Sequence, residues 1–324
     1  MLLSEIQSSL QTLVEHAWDN EISWSQIEGW ARNFDGQVVA EDQEQLYNLF
    51  ALSRFMYFGK RQIREMLKAL YRDHFESPLI QRIRRNCGNT RDVALLRRMY
   101  HQELTTTRFC GVGNPSESGA HLLYYFRQVN YLRKDLFADF SSSFVARPDG
   151  RGALTHVKYA PTTTGITRYV LFDDVVGSGV QARTYLSGML TRIRRDNPNV
   201  ELKFMSLFAT TEGLAKMNST NMFDGNAMCL FELDDSYKAF SSNSRHFSGA
   251  PSWFVPADLL RIALHYGTQI QPDKALGYRD GQLMLGMSHN TPDNTLPIFW
   301  DEGHGCPWQP AFVRYDKVYS SVAP

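Results

Sequence analysis

Cysteine is scarce in this 324-residue chain: Cys87, Cys110, Cys229 and Cys306 lie far apart, with no CxxC pair and no metal-ligand spacing. That argues against a disulfide framework or a common zinc motif, and the expectation is a cytoplasmic protein with reduced thiols. Long apolar runs are missing too; none approaches the about 18 to 20 residues that a membrane helix needs. Neither sign of charge dominates, with 34 Lys and Arg against 34 Asp and Glu, so net charge names no partner. The opening MLLSEIQSSLQTLVEH has an early acid and no basic segment, which does not fit a secretory signal. What is present, 43% hydrophobic residues at this length, suffices for one large or two ordinary domains with ample core.

The most informative stretch is Arg168-Tyr-Val-Leu-Phe-Asp-Asp-Val-Val-Gly-Ser-Gly-Val-Gln-Ala182. Tyr169 to Phe172 are β-formers without alternation, which predicts a strand covered on both faces and ending on Asp173 and Asp174. Gly177, Ser178 and Gly179 have almost no side-chain bulk, so the backbone there can bend and turn several N–H groups toward one anion. Val180 to Met189 has helical composition, which places that anion at a helix N-terminus. The physical reading is a site for a phosphorylated sugar, with the two acids accepting from ribose hydroxyls. A plain turn with a helix cap is the alternative.

Upstream, Thr107 to Cys110 reads as a short strand, followed by a loop rich in Gly, Ser, Asn and Pro and a helix from about His121. Downstream, Val200 to Ala209 and Met228 to Glu232 read as further strands, with Thr210 to Gly213 as a turn and a helix from Leu214. This alternation from 107 to about 232 predicts a doubly wound parallel sheet with its ligand at the strand carboxyl ends.

The order of apolar run, acid pair and small-residue turn resembles the phosphoribosyl-pyrophosphate (PRPP) loop of type I phosphoribosyltransferases. The resemblance implies that Asp173 and Asp174 orient the ribose while Val175, Val176, Gly177, Ser178, Gly179, Val180 and Gln181 hold its 5′-phosphate. It further implies a pyrophosphate loop at Gly111, Val112, Gly113, Ser116, Ser118 and Gly119, and Mg²⁺ bridging pyrophosphate and ribose oxygens without a dedicated protein cage. A closing loop would fall between 144 and 165, with Arg147, Arg151 and Lys158 as its cationic candidates. Gly177 and Gln181 depart from the Thr-Thr-Gly-x-Thr of the family: the backbone groups survive, but two hydroxyl contacts are lost. His121, His289 and Arg314 are candidate acceptor-site residues.

Residues 1–105 read as helical throughout. Helices are expected from Leu3 onward, over Gln43 to Phe58, Gln62 to Phe75 and Asp92 to Leu104, with a capping box at Ser25 and Glu28. The first fifty residues carry nine acids against Arg32 alone, whereas the region 60–98 is rich in arginine. That basic region suits a nucleic acid or protein partner, and equally an intramolecular pairing or a solvated face. The last part, 241–324, holds polar turn residues beside Trp300 and Trp308, which predicts an irregular extension packed by aromatics. Its Asn290-Thr-Pro-Asp-Asn-Thr-Leu-Pro-Ile-Phe-Trp300 resembles a stretch that recurs in phosphoribosyltransferase-like proteins with a C-terminal extension, some associated with retrons. That resemblance implies a bacterial conflict or antiviral setting.

The expected architecture is therefore α/β: a helical region (1–105), a Rossmann-like type I phosphoribosyltransferase core with a mainly parallel sheet (106–240) and the extension (241–324). The expected function is Mg²⁺-dependent transfer or hydrolysis at the ribose anomeric carbon. The alternatives are a nucleotide or PRPP sensor without chemistry, or a nucleic-acid-docking protein regulated by that site.

Overall fold

The computed structural model describes residues 3–113, 118–148, 157–303, 306–312 and 314. The N-terminal stretch forms α1 (Leu3–His16), α2 (Trp24–Ala31), α3 (Glu41–Leu52), β1 (Met56–Phe58), α4 (Lys60–Tyr71), a π-helical turn (Arg72–Glu76), α5 (Ser77–Asn86) and α6 (Val93–Thr105). There follow β2 (Thr107–Gly111), α7 (Ser118–Val129), β3 (Phe144–Pro148), β4 (Val157–Pro161), β5 (Arg168–Val176) and α8 (Val180–Asp196). The remainder contributes β6 (Glu201–Thr210), α9 (Thr211–Met217), β7 (Ala227–Leu233), α10 (Pro256–Ile270) and β8 (Leu285–Met287). No helix among the described residues is long and apolar enough to cross a membrane.

Three local features depart from the sequence reading. The capping box lies two residues earlier, with the Ser23 hydroxyl accepting from Gln26 N and the Gln26 side chain from Ser23 N. Ser25 is thereby inside the helix, and Glu28 accepts instead from the Trp24 indole at 2.7 Å. The helix expected to reach Phe58 stops at Leu52, because Met56 to Phe58 pair in parallel with Leu285 to Met287. Periodicity cannot reveal a partner more than two hundred residues away. Beyond α4 the helix widens to a π-turn, in which the N–H of Ser77 bonds to the carbonyl of Arg72. Pro78 follows at once and has no N–H with which to continue the α-pattern.

In space the chain divides into two compact units, 1–63 with 234–324, and 64–233. The first gathers α1 to α3 and α10 around aromatic side chains. Trp30 stacks on Phe299 at 5.4 Å, and the indoles of Trp30 and Trp308 both donate to the Ile298 carbonyl, at 2.6 and 3.1 Å. The polar residues of the 290–300 stretch bond inward. Thr295 Oγ1 donates to Leu285 O at 2.7 Å, Trp300 Nε1 to Thr295 O at 2.9 Å, and Asn294 Nδ2 to Tyr278 O at 3.0 Å. They hold the irregular chain in one conformation where no helix or ladder would, which accounts for buried Asn294 and Thr295.

The second unit is built on a parallel sheet of order β2-β5-β6-β7. Beyond β2 the chain makes one more parallel bridge, Phe137 to Phe109, with Ala138 N donating to Phe109 O at 3.1 Å. From β2 the chain thus passes through α7 to one side, forms the antiparallel β3–β4 hairpin, and returns to β5 on the other side of β2. The connections diverge between β2 and β5, the topological switch point at which open α/β sheets leave a crevice. Tyr169 and Leu171 pack in one cluster with Leu186 and Leu190 of α8, while Phe172 meets Phe126 of α7 at 5.5 Å. Both faces of β5 are covered, hence its unbroken apolar run.

At the opposite end of β5, buried Arg168 donates to Glu201 at 2.6 Å, to Glu103 at 2.9 Å and to Thr107 at 3.0 Å. Arg82 bridges the same two glutamates, and Lys203 lies 3.1 Å from Glu201. Burial raises the Glu201 carboxyl, but Arg168 and Lys203 outweigh it and hold the group at about 2 instead of its ordinary 4.5. The ion pair therefore stabilises the fold fully above the ordinary value and loses that contribution as pH falls from 4.5 through about 2. Arg168→Ala is expected to cost about 3 to 5 kcal/mol in denaturant unfolding, since two carboxylates lose their main partner. Glu201→Gln should flatten the unfolding midpoint across that acidic window.

Candidate functional site

The strand register brings the two glycine-bearing loops side by side. Gly111 is level with Phe172, and Val112 N donates to Phe172 O at 3.0 Å. Gly113 takes φ +89°, a left-handed value. Gly119, in the first turn of α7, lies so close to β5 that an added Cβ would stand 2.8 Å from Phe172 O and 3.4 Å from Asp173 Oδ1. β5 does not stop at Phe172: Asp173 pairs with Ser206 and Val176 with Ala209, while the pairing passes over Asp174. The acids therefore sit in the last part of the strand, Asp173 half-buried and Asp174 buried. Each carboxylate accepts from the next main-chain N–H: Asp173 from Asp174 N at 2.9 Å, Asp174 from Val175 N at 2.8 Å. These bonds hold both side chains against the backbone.

Gly179 caps α8 with φ 67° and ψ 3°, and supplies no side-chain acceptor to the helix. The first-turn N–H groups have no partner inside the helix either. The loop before it is gripped from α9. Thr210 Oγ1 donates to Gly177 O at 2.7 Å while accepting from Gly213 N at 3.0 Å, and Lys216 Nζ donates to Ser178 O at 3.0 Å. Lys216 is itself held by Glu212. A trans peptide points its carbonyl and N–H in opposite directions. Pinning the carbonyls of Gly177 and Ser178 to α9 therefore turns the N–H groups of Ser178 and Gly179 away from it. The contact needs a glycine at 213, where a Cβ would come within 2.1 Å of Gly177 O.

The PRTase-CE family model matches residues 27–314, most of the sequence. The chain belongs to the PRTase-CE family. Among curated proteins none matches. Similar solved structures include Helicobacter pylori xanthine-guanine-hypoxanthine phosphoribosyltransferase, at 15% identity and TM-score 0.26, the match covering 56% of this chain and 86% of that one. Orotate phosphoribosyltransferase from Aeropyrum pernix is matched at 14% identity and TM-score 0.23, over 41% and 64% of the two chains.

In this PRTase-CE protein Gly111, Val112, Gly113, Gly119 and the run from Asp173 to Gln181 lie at the carboxyl ends of neighbouring strands. Ser116 and Arg151 fall outside the described residues, as do the side chains of Ser118, Arg147 and Lys158; the backbones of Arg147 and Lys158 pair across the β3–β4 hairpin. His121 is exposed on the first turns of α7. His289 and Arg314 belong to the other unit, where Arg314 lies 4.8 Å over the Trp300 ring. Thr210, read as part of a turn, caps α9 and grips the loop. Lys216 carried no signal, because its role depends on α9 lying beside the turn after β5.

Among the described residues no group of three or more His, Cys, Asp or Glu could hold a metal ion alone. A hard cation arriving with a pyrophosphate needs few protein ligands, and Asp173 and Asp174 are oxygen donors of the suitable kind.

Gly213→Ala must displace the Gly177 carbonyl and is expected to lower unfolding stability by about 1 to 3 kcal/mol. Gly188→Ala, in α8 with open space around its Cβ position, should raise stability by about 0.5 to 1 kcal/mol in the same assay.

Proposed function

We propose that this protein binds PRPP with its ribose 5-phosphate end at the turn after β5 and its pyrophosphate at the turn after β2. The observation that carries this reading is the pair of pinned carbonyls at Gly177 and Ser178, which directs main-chain N–H groups toward an anion where α8 begins. Asp173 and Asp174 accept from the ribose hydroxyls and orient the ring; Val175 to Gln181 surround the 5′-phosphate. Gly111, Val112, Gly113, Ser116, Ser118 and Gly119 supply the pyrophosphate loop, and Arg147, Arg151 and Lys158 are the cationic candidates of the segment 147–158. Mg²⁺, when bound with the pyrophosphate, neutralises charge on the leaving group.

The reaction is transfer at the anomeric carbon. The C1–O bond to pyrophosphate breaks, pyrophosphate departs with the electron pair, and a nucleophile of the acceptor, or water, bonds to C1 and yields its proton to solvent. No protein nucleophile takes part: the chain fixes positions and stabilises the developing charges.

PRPP with Mg²⁺ should raise the unfolding temperature of the wild-type protein, about 2.7 kcal/mol of added stability being expected at a hundredfold excess over Kd. Asp173→Asn should lose most of that effect, and pyrophosphate release should fall with it. Absence of any PRPP-dependent shift overturns the proposal; a shift without pyrophosphate release from any base or from water leaves a PRPP-binding module.

A further inference from the structure

The helix that follows the glycine turn after β2 presents a surface the PRPP reading does not use. α7 contains no Asp or Glu. Along it lie His121, Tyr124, Tyr125 and Arg127, and just past its C-terminal end comes Tyr131. Tyr124 is 55% exposed and Tyr131 is 95% exposed. Tyr131 holds φ +54°, a left-handed backbone that a bulky residue adopts at a cost of about 1 to 2 kcal/mol.

Cations lie over these rings. Arg127 is 5.8 Å from the Tyr124 centroid, and Arg64, from α4, is 5.2 Å from that of Tyr125. His121 meets Tyr125 edge-on at 5.2 Å. Among the described residues neither Arg64 nor Arg127 makes an ion pair, whereas the neighbouring Lys68 and Arg72 are engaged by Glu65 and Asp73.

We propose that this stripe binds single-stranded nucleic acid. Exposed tyrosines offer flat faces on which unpaired bases stack, and arginines without a carboxylate attract phosphates; the combination suits a strand whose bases are open. A duplex hides its base faces and would gain only the charge term. His121 to Val129 spans about 12 Å of helix axis, with Tyr131 just past its end, enough for a few stacked nucleotides. The stripe begins beside Gly119, which abuts Asp173, so a strand bound along α7 has one end near the proposed PRPP site. The docking surface stands independently of PRPP binding, and its test contains no PRPP.

Fluorescence anisotropy of a labelled oligothymidylate about ten nucleotides long provides the test, with a duplex of equal length for comparison. The wild-type protein should bind the single strand at low salt and prefer it to the duplex. Tyr124→Ala and Tyr131→Ala should each weaken binding by about 5- to 150-fold. Arg127→Ala should reduce the slope of log K against log salt by about 0.7. All three positions are at least partly exposed, and an unchanged thermal midpoint confirms that each variant is folded. The proposal is overturned by absence of binding at low salt, by equal affinity for the duplex, or by tyrosine variants that bind as well as wild type. It is also overturned if Arg97→Ala with Arg98→Ala on α6 abolishes binding while the α7 variants retain it.

Discussion

The candidate site depends on two hydrogen bonds made to its back. Thr210 and Lys216 take the carbonyls of Gly177 and Ser178, and the planarity of the peptide does the rest by turning the attached N–H groups outward. Flexible glycines alone would leave that loop free to point either way. The close approach of Gly213 to the Gly177 carbonyl means that α9 presses directly on the turn and leaves no room for a side chain. The loop is thus preorganised by the strand next door, and an anion bound there need not meet the cost of ordering it.

The location of the site follows from topology. Because the chain leaves β2 toward Phe137 and comes back to β5, the turns after β2 and β5 are not screened by a crossing connection among the described residues. Their ends lie together, and Gly119 brings the first turn of α7 up to Asp173. The Arg168 cluster holds the other end of the same strand, so β5 is anchored electrostatically at its start, opposite the end that carries Asp173 and Asp174.

Much of this was legible in the residues. An apolar run of β-formers without alternation suits a strand covered on both faces, and Phe172 and Leu171 are indeed covered from opposite faces. Acid pair, small-residue turn and helix appear in chain order, so local reading sufficed. What escaped was non-local. Thr210 and Lys216 act from the end of β6 and from α9; β1 finds its partner at Leu285; the bridge at Phe137 is a single residue with no strand signature of its own. The capping box was displaced because Ser23 and Ser25 each precede a Glu or Gln by three residues, and only the extended backbone at Ser23 chooses between them. The 290–300 stretch, distinctive as a motif, turns out to tie an aromatic core together through inward hydrogen bonds.

The central claim is that main-chain N–H groups of the turn after β5 grip a sugar phosphate because their carbonyls are held from behind. Amide NMR of the ¹⁵N-labelled protein during titration with ribose 5-phosphate tests it most directly. The account predicts saturable shifts concentrated at Ser178, Gly179 and Val180, and their loss of saturation in Thr210→Val at the same ligand concentrations. Shifts that avoid this turn, or that persist unchanged in the variant, would contradict it.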